Sequence, residues 1–243
     1  MRETLDSFLG GRVKLIQPSE GYRAGIDPVF LAASLQPKPQ EIVLDVGSGV
    51  GVASISLAVR CPDIKVFGIE VQPDLVDLSL LNIRNNHLVG RVEMVNGDLL
   101  FPPDDIKPNS FDHVMTNPPY YEYSRTKSSP NPGKAQANTE TVDLGTWIKY
   151  SLKLLKPKGV FTMIHRVERL SQILHHLGEQ AGDLIVYPLW PGVNKPARRV
   201  IVQGRKNGRG ELRLASGMTL HGGSEKYSPE AEAVLRHAQP IVL

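Results

Sequence analysis

Short β-branched runs alternate along this chain with stretches in which apolar residues recur every three or four positions, the pattern of a parallel sheet covered on both faces by helices. The first run, 41–46, opens into Gly47-Ser48-Gly49-Val50-Gly51, after which Ala53, Ile55, Leu57 and Ala58 predict a helix ending near Cys61-Pro62. A second strand, 65–70, leads to a helix that begins at Pro73, a residue suited to the first helical turn, and runs to Asn86. Strands three and four fall at 91–95 and 111–116. After a polar stretch, Leu144, Trp147, Ile148, Ser151, Leu152 and Leu155 mark a helix stopped by Lys156-Pro157-Lys158-Gly159, and a fifth strand covers 160–164. Leu170, Ile173, Leu174 and Leu177 form one more amphipathic face. The last runs, 184–187 and 198–203, have no helical pattern between them and predict an antiparallel hairpin at the sheet's edge. The expected fold is α/β: a doubly wound, mostly parallel sheet of seven strands with an antiparallel edge strand. One domain is expected over 1–243, with a core at 41–204, an N-terminal segment at 1–40 and a C-terminal extension at 205–243. Neither internal repeats nor a low-complexity tail are present.

With 243 residues, 41% of them apolar and 22% charged, the chain can build one sizeable core. Cys61 is the single cysteine, which excludes a disulfide framework and multi-cysteine metal sites; it is read as a small buried residue at a helix end. The first residues lack the apolar run of a secretory signal, and no stretch approaches the roughly 18 apolar residues that span a bilayer. A soluble, cytoplasmic protein with no membrane attachment is the expectation. The seven histidines, among them His113, His165 and the pair His175-His176, show no metal-ligand spacing, so they are read as structural and no metal is expected. Trp147 lies in a helical apolar stripe and is read as core, while Trp190, flanked by Pro188 and Pro191, reads as core or as part of a substrate surface. Net charge is only +3, yet Lys195, Arg198, Arg199, Arg205, Lys206, Arg209 and Arg213 crowd one region against Glu211 alone. That cluster is either a solvated strand edge or a grip on a polyanion. The long polar loop at 121–138 adds Arg125, Lys127 and Lys134 and is expected to act as a mobile lid or substrate-binding segment.

Candidate chemistry begins at the glycine loop, whose residues allow close approach of a ligand to the backbone at a helix start. Alone it suits any of several adenine-containing cofactors. Glu70 ends the next strand, where a carboxylate can accept from both hydroxyls of a ribose, an arrangement a dinucleotide site shares. Asp45, just before the loop, would repel a pyrophosphate but welcome a cationic ligand, and Asp98, after the third strand, can accept from an adenine amine. These three carboxylates stand at the carboxyl ends of successive strands, where doubly wound sheets bind ligands. Asn117-Pro118-Pro119-Tyr120 then follows the fourth strand. The Asn117 side-chain oxygen and the Pro118 carbonyl are two acceptors that consecutive prolines can hold converged on one planar NH2 group, with Tyr120 free to stack on a base.

In order, Val43-Leu44-Asp45-Val46-Gly47-Ser48-Gly49-Val50-Gly51, Gly68-Ile69-Glu70, Gly97-Asp98, the tetrapeptide and Leu155-Lys156-Pro157-Lys158-Gly159 resemble the motifs of Rossmann-like S-adenosylmethionine-dependent methyltransferases, over 41–164. The tetrapeptide is similar to that of the amino-methylating branch, which acts on adenine N6, guanine N2 or glutamine N5. Residues 21–33 resemble the segment before the first strand in bacterial tRNA adenine-N6 methyltransferases that modify the anticodon loop of valine tRNA, and 198–204 and 227–232 look like the same family. Ile26 departs from it, standing where relatives commonly carry a small hydroxyl residue. The resemblance implies S-adenosyl-L-methionine as cofactor, held by Asp45, Gly47, Ser48, Gly49, Gly51, Glu70, Val71, Asp98 and Leu99. Segment 1–40 would close over its methionine end, with Arg23 on the carboxylate. Asn117, Pro118, Pro119 and Tyr120 would hold an adenine N6 amine, and the partner would be RNA, in particular a tRNA. Protein-glutamine N5 methylation is an alternative, set back because only about 40 residues precede Asp45. Guanine N2 methylation and a non-catalytic RNA-binding role for the same fold are the others. Oligomeric state is not legible.

Overall fold

The computed structural model of the chain describes residues 3–20, 23–122, 139–140, 142–222 and 225–243, so nearly all of the expected lid at 121–138 lies outside the described residues. Three elements precede the first expected strand. β1 (Glu3–Phe8) and β2 (Val13–Pro18) pair as an antiparallel hairpin around a 3-10 turn at Leu9–Gly11. Gly10 takes φ +65 there, and a Cβ would strike the Arg236 carbonyl. Val13, Leu15 and Gln17 alternate inward along β2 and are buried. α1 (Asp27–Ala33) follows, with Pro28 in its first turn.

The alternating core then runs β3 (Ile42–Val46), α2 (Val52–Arg60), β4 (Lys65–Glu70), α3 (Pro73–Asn85), β5 (Val92–Asn96) and β6 (Phe111–Thr116). Two short strands, β7 (Tyr121–Glu122) and β8 (Thr139–Glu140), pair in parallel with each other. The chain continues through α4 (Leu144–Leu154), β9 (Leu155–Arg166), α5 (Leu170–Gly178), β10 (Ala181–Trp190), β11 (Arg199–Lys206), β12 (Arg213–Leu214), β13 (Met218–Thr219) and α6 (Pro229–His237). The expected seven strands lie in the order β10-β11-β9-β6-β3-β4-β5. β12 and β13, two residues each, add to β10 and bring the sheet to nine. β11 is antiparallel to both neighbours and sits between β9 and β10, so the antiparallel strand lies one place in from β10.

Strand residues face two cores. Val43, Met115, Ile164 and Ile201 pack with α1, α2, α3 and α6, while Leu44, Val46, Val114, Met163 and Val202 pack with α4 and α5. Burial on both faces explains the unbroken apolar runs in the sequence. Parallel register places Val46 beside Ile69 and Thr116, and Glu70 beside Asn96. The loops that follow these strands therefore emerge together along one edge, on both sides of β3, where the direction of winding reverses.

The hairpin joins this core through side chains of α3. Ile16 N–H donates to Asn82 Oδ1 at 2.7 Å and Asn82 Nδ2 returns a bond to the Ile16 carbonyl at 3.0 Å. Asn86 makes the same pair of bonds with Lys14, at 3.0 and 2.7 Å. This docking sets β2 against α3 and α2, and Gln17 at its end reaches the site.

Candidate active site

A cavity of about 220 Å³ opens where β3, β4 and β6 end. Its floor is the glycine loop. Gly47 and Gly49 take φ +72 and +55, a region costly for residues with a Cβ, and the Gly47 and Ser48 amides donate to the Ile69 carbonyl at 2.9 and 3.2 Å. A Cβ on Gly47 would also press on the Trp147 ring at 3.2 Å. Gly51, at φ +89, is the residue before α2 and does not line the cavity; its Cβ would meet Met94 at 3.2 Å, so its requirement is the turn into the helix.

Three carboxylates border this floor. Asp45 is 2% exposed and accepts from Ser54 Oγ at 2.7 Å. Burial pushes its pKa up to about 7 against the lowering effect of Ser54, and the nearby Glu70 charge adds to the rise. Glu70 accepts from the Gly49 amide at 2.9 Å and from the Gln72 amide at 3.0 Å, one on each oxygen. A carboxylate offers about four acceptor positions, so two remain for hydroxyls of a ligand. Asp98 accepts from the Leu100 amide at 2.8 Å and lines the cavity with Gly97 and Leu99. Ser48 and Val71 line it as well, the latter largely exposed.

Trp147, expected in the core, packs against it and also forms a wall of the cavity. Its indole Nε1 donates to Thr116 Oγ1 at 3.0 Å, and that hydroxyl donates to the Val46 carbonyl at 2.9 Å, which fixes the ring against the glycine loop. A tryptophan at the edge of an amphipathic stripe has the same spacing whether it faces core or ligand, so periodicity alone did not show its second role.

The tetrapeptide closes the cavity beyond Thr116, and all four of its residues line it. The Tyr120 hydroxyl stands 2.7 Å from the Asn117 side-chain amide and 2.6 Å from Asp27 Oδ2. Asp27 is paired with Arg199, whose Nε donates to the same Oδ2 at 2.8 Å and whose guanidinium lies 4.6 Å from the centre of the Tyr120 ring. His165 meets the ring edge-on at 5.2 Å. Its Nδ1 accepts from the Arg166 amide at 2.8 Å, which leaves the ring proton on Nε2. Burial first, and then the Arg169 charge, push its pKa down to about 4, so the ring is neutral. None of Asp27, His165 and Arg199 is expected beside the tetrapeptide from the sequence: His165 reads as structural, Arg199 only as one of a basic cluster, and Asp27 only within the resembling segment. Each reaches the site through the fold, from α1, β9 and β11.

The N-terminal segment contributes Gln17, Ala24 and Pro28 to the cavity lining. Gln17 Oε1 accepts from the Ala24 amide at 2.9 Å and its Nε2 donates to Asp6 at 2.7 Å. Arg23 is not brought to the cavity: its guanidinium is held by both oxygens of Asp6, at 2.6 and 2.7 Å. The basic cluster expected in one place is divided by the strand that carries it. Arg199 pairs in register with Arg166 near the site, whereas Arg205 pairs with Val160. At about 3.3 Å per strand residue that is roughly 20 Å away. Arg205 and Lys206 bond there to the Lys158 and Leu155 carbonyls. The cations shown near the tetrapeptide are Arg199, over the Tyr120 ring, Arg169, whose charge acts on His165, and Arg166, the register partner of Arg199; a linear reading of the cluster leaves out the last two. Trp190 Nε1 donates to the Ser216 carbonyl at 3.0 Å. Among the described residues no group of three or more His, Cys, Asp and Glu could hold a metal ion, and no helix is long and apolar enough to cross a membrane.

The donor set fits S-adenosylmethionine. Glu70 retains acceptor capacity for a ribose, Asp98 for an adenine amine, and Asp45 offers a buried carboxyl where a cationic sulfonium and ammonium would favour its ionised form. The apolar wall of Trp147 and Leu99 suits a purine.

The methyltransferase small domain family matches residues 25–168. A Porphyromonas gingivalis protein named tRNA1(Val) (adenine(37)-N6)-methyltransferase is 30% identical over 176 residues, which cover 69% of this chain and 68% of that protein. One of the same name from Bacteroides thetaiotaomicron is 25% identical over 84% of this chain and 86% of its own. Among solved structures, a predicted O-methyltransferase, protein Atu636 from Agrobacterium tumefaciens, matches with a TM-score of 0.75 at 19% identity, covering 89% of this chain and 99% of that one. P. horikoshii TYW2 in complex with MeSAdo matches at 0.57 and 17% identity, over 84% and 70%. These two share the fold. The family match takes in the glycine loop, the three carboxylates and the tetrapeptide, and on it the chain belongs to the methyltransferase small domain family and is an S-adenosylmethionine-dependent methyltransferase.

Proposed function

We propose that the protein methylates the exocyclic N6 amine of an unpaired adenine in RNA, with a tRNA anticodon loop as its substrate. The observation that carries this reading is the tetrapeptide, Asn117 to Tyr120, closing the cavity whose other end holds Asp45, Glu70 and Asp98. Two carbonyl-type acceptors on one NH2 group localise the nitrogen lone pair that the purine ring otherwise delocalises. S-adenosylmethionine supplies a methyl group on a sulfonium centre. When bound, the cofactor would give up that methyl to the amine lone pair, the new N–C bond replacing the C–S bond whose electrons would remain on sulfur, and the surplus amine proton would leave to water. The protein's share is orientation and electrostatics, since no covalent enzyme intermediate is required.

Several features support RNA. Arg166, Arg169 and Arg199 stand near the tetrapeptide, where a phosphate backbone would meet positive charge, and an adenine must leave its stack to reach the cavity. The relatives from P. gingivalis and B. thetaiotaomicron carry names for this reaction on tRNA. Segment 1–40 is read as the cover of the cofactor's methionine end, supported by Gln17, Ala24 and Pro28 in the lining. The test is mass spectrometry of nucleosides from tRNA of cells with and without the protein. Loss of N6-methyladenosine without the protein is expected. Unchanged tRNA nucleosides, with methyl label entering protein glutamine, would replace this reading by the glutamine one.

A further inference from the structure

The Tyr120 hydroxyl touches two groups drawn as acceptors, Asp27 Oδ2 at 2.6 Å and Asn117 Oδ1 at 2.7 Å, but a phenol has a single proton to give. One of the two contacts must therefore have the opposite polarity. Asp27 Oδ2 already receives Arg199 Nε at 2.8 Å, so it is a carboxylate oxygen on which donors converge and which has nothing to donate. An ionised acceptor makes a bond roughly twice as strong as a neutral amide oxygen does, and it takes the phenol proton. The phenol oxygen then turns a lone pair toward Asn117, where a second bare oxygen at 2.7 Å would be repelled. Oxygen and nitrogen of an asparagine differ little in shape, and half a turn of the amide exchanges them.

From this we infer that Asn117 donates Nδ2–H to Tyr120 and so presents Oδ1 to the cavity, and that Asp27 is the positioning residue that sets this orientation through Tyr120. The inference rests on the amine-methylating reading, because that reaction needs an acceptor on this side of the cavity. Asp27 touches neither substrate nor cofactor in this account. Its effect is to claim one proton. Were it absent, the phenol would donate to Asn117 Oδ1, the amide NH2 would turn to the cavity, and a donor would face the donor it has to hold. Arg199 stabilises the arrangement twice, as the partner of Asp27 and as the cation over the Tyr120 ring.

The test is a double-mutant cycle on the full-length enzyme, with unmodified tRNA from cells lacking the protein as substrate. Asp27→Ala and Tyr120→Phe should each lower kcat on the order of 10- to 100-fold, with the KM for S-adenosylmethionine unchanged. The double variant should lose no more than about 2-fold beyond either single one, since the two residues act as one unit. Asp27→Asn should recover activity to within about 5-fold of wild type: Arg199 selects the amide oxygen for the Oδ2 position, where it still accepts from Tyr120. Losses that multiply, or a loss confined to cofactor affinity, would overturn the inference. A neutron structure of the wild-type protein needs no variant to fold: nitrogen facing Tyr120 supports the inference, and oxygen there refutes it. Asn117→Ala separates the two levels. If it keeps its turnover, the amine reading itself fails, whereas an inactive Asn117→Ala with an additive cycle removes only Asp27.

Discussion

The two ends of the cavity are assembled on different scales of sequence. At the cofactor end, bonds are short-range: Gly49 and Glu70 are 21 positions apart, and the carboxylates follow one another on successive strand ends. At the acceptor end the joins are long: Tyr120 meets Asp27 across 93 positions, and Arg199 meets Asp27 across 172. The cofactor end can be assembled by neighbouring βαβ units as each one packs. The acceptor end exists only once α1, β6, β9 and β11 are all in place. A damaged acceptor end should therefore leave the cofactor end working, while a damaged glycine loop removes the methyl donor from an otherwise intact acceptor site.

Variants can sharpen that contrast. Asn117→Ala should lower kcat on the order of 10³-fold, the cost of removing one preorganised acceptor, while calorimetry shows cofactor affinity within about 2-fold of wild type. Glu70→Ala should do the reverse. It removes two hydrogen bonds to a charged group worth about 1.5–3 kcal/mol each, so affinity for the cofactor should fall roughly 10²- to 10⁴-fold, with kcat at saturation changed little.

Asp45 gives a comparison within the cofactor end itself. Its folded-state pKa, about 7, lies above the ordinary carboxyl value, so its contribution to stability is full below about pH 4 and is lost as pH rises through 7. Asp45→Asn keeps the hydrogen bond to Ser54 without the charge. Thermal melts of the ligand-free protein should show it more stable than wild type by roughly 2–4 kcal/mol at pH 8, with the gap closing toward pH 4. A pH-independent gap would mean that the carboxyl is not protonated in the folded protein. Last and smallest, Asp143→Ala removes the cap of α4, where Asp143 Oδ1 accepts from the Thr146 amide at 2.9 Å. About 1 kcal/mol of stability should go, and because α4 carries Trp147, cofactor affinity should fall by no more than a few-fold.

This difference in scale also governs what could be read from the chain. The strands, the glycine loop and the placing of Asp45, Glu70 and Asp98 follow from local alternation, which survives in one dimension. β9 begins earlier than expected, at Leu155, because the Lys156-Pro157-Lys158-Gly159 stretch that stops the helix already belongs to the strand; its composition does not mark it as extended, so the sequence did not show it. The β1–β2 hairpin left only a brief period of two at Val13, Leu15 and Gln17. Asp27 sits inside a segment recognised by resemblance, yet its bonds to Tyr120 and Arg199 carry no periodic signal. Arg23 and the basic cluster show the same limit from opposite directions. In this structure Arg23 is held by Asp6, a partner no local pattern marks, and cations close together in sequence are carried apart along an extended strand.

Asn82 and Asn86 on α3 have a consequence for how the protein behaves among its own copies. Four residues of helix rise about 6 Å, and two residues of strand advance about 6.6 Å, so side chains one helical turn apart keep step with every second peptide of a strand. The two asparagines exploit that near-match, and α3 stands in for a third strand along β2. A two-stranded ribbon ordinarily leaves a ladder of bare amides and carbonyls along such an edge, a template on which another chain can grow. Here the Lys14 and Ile16 rungs are already taken, and a helix cannot pass the template on.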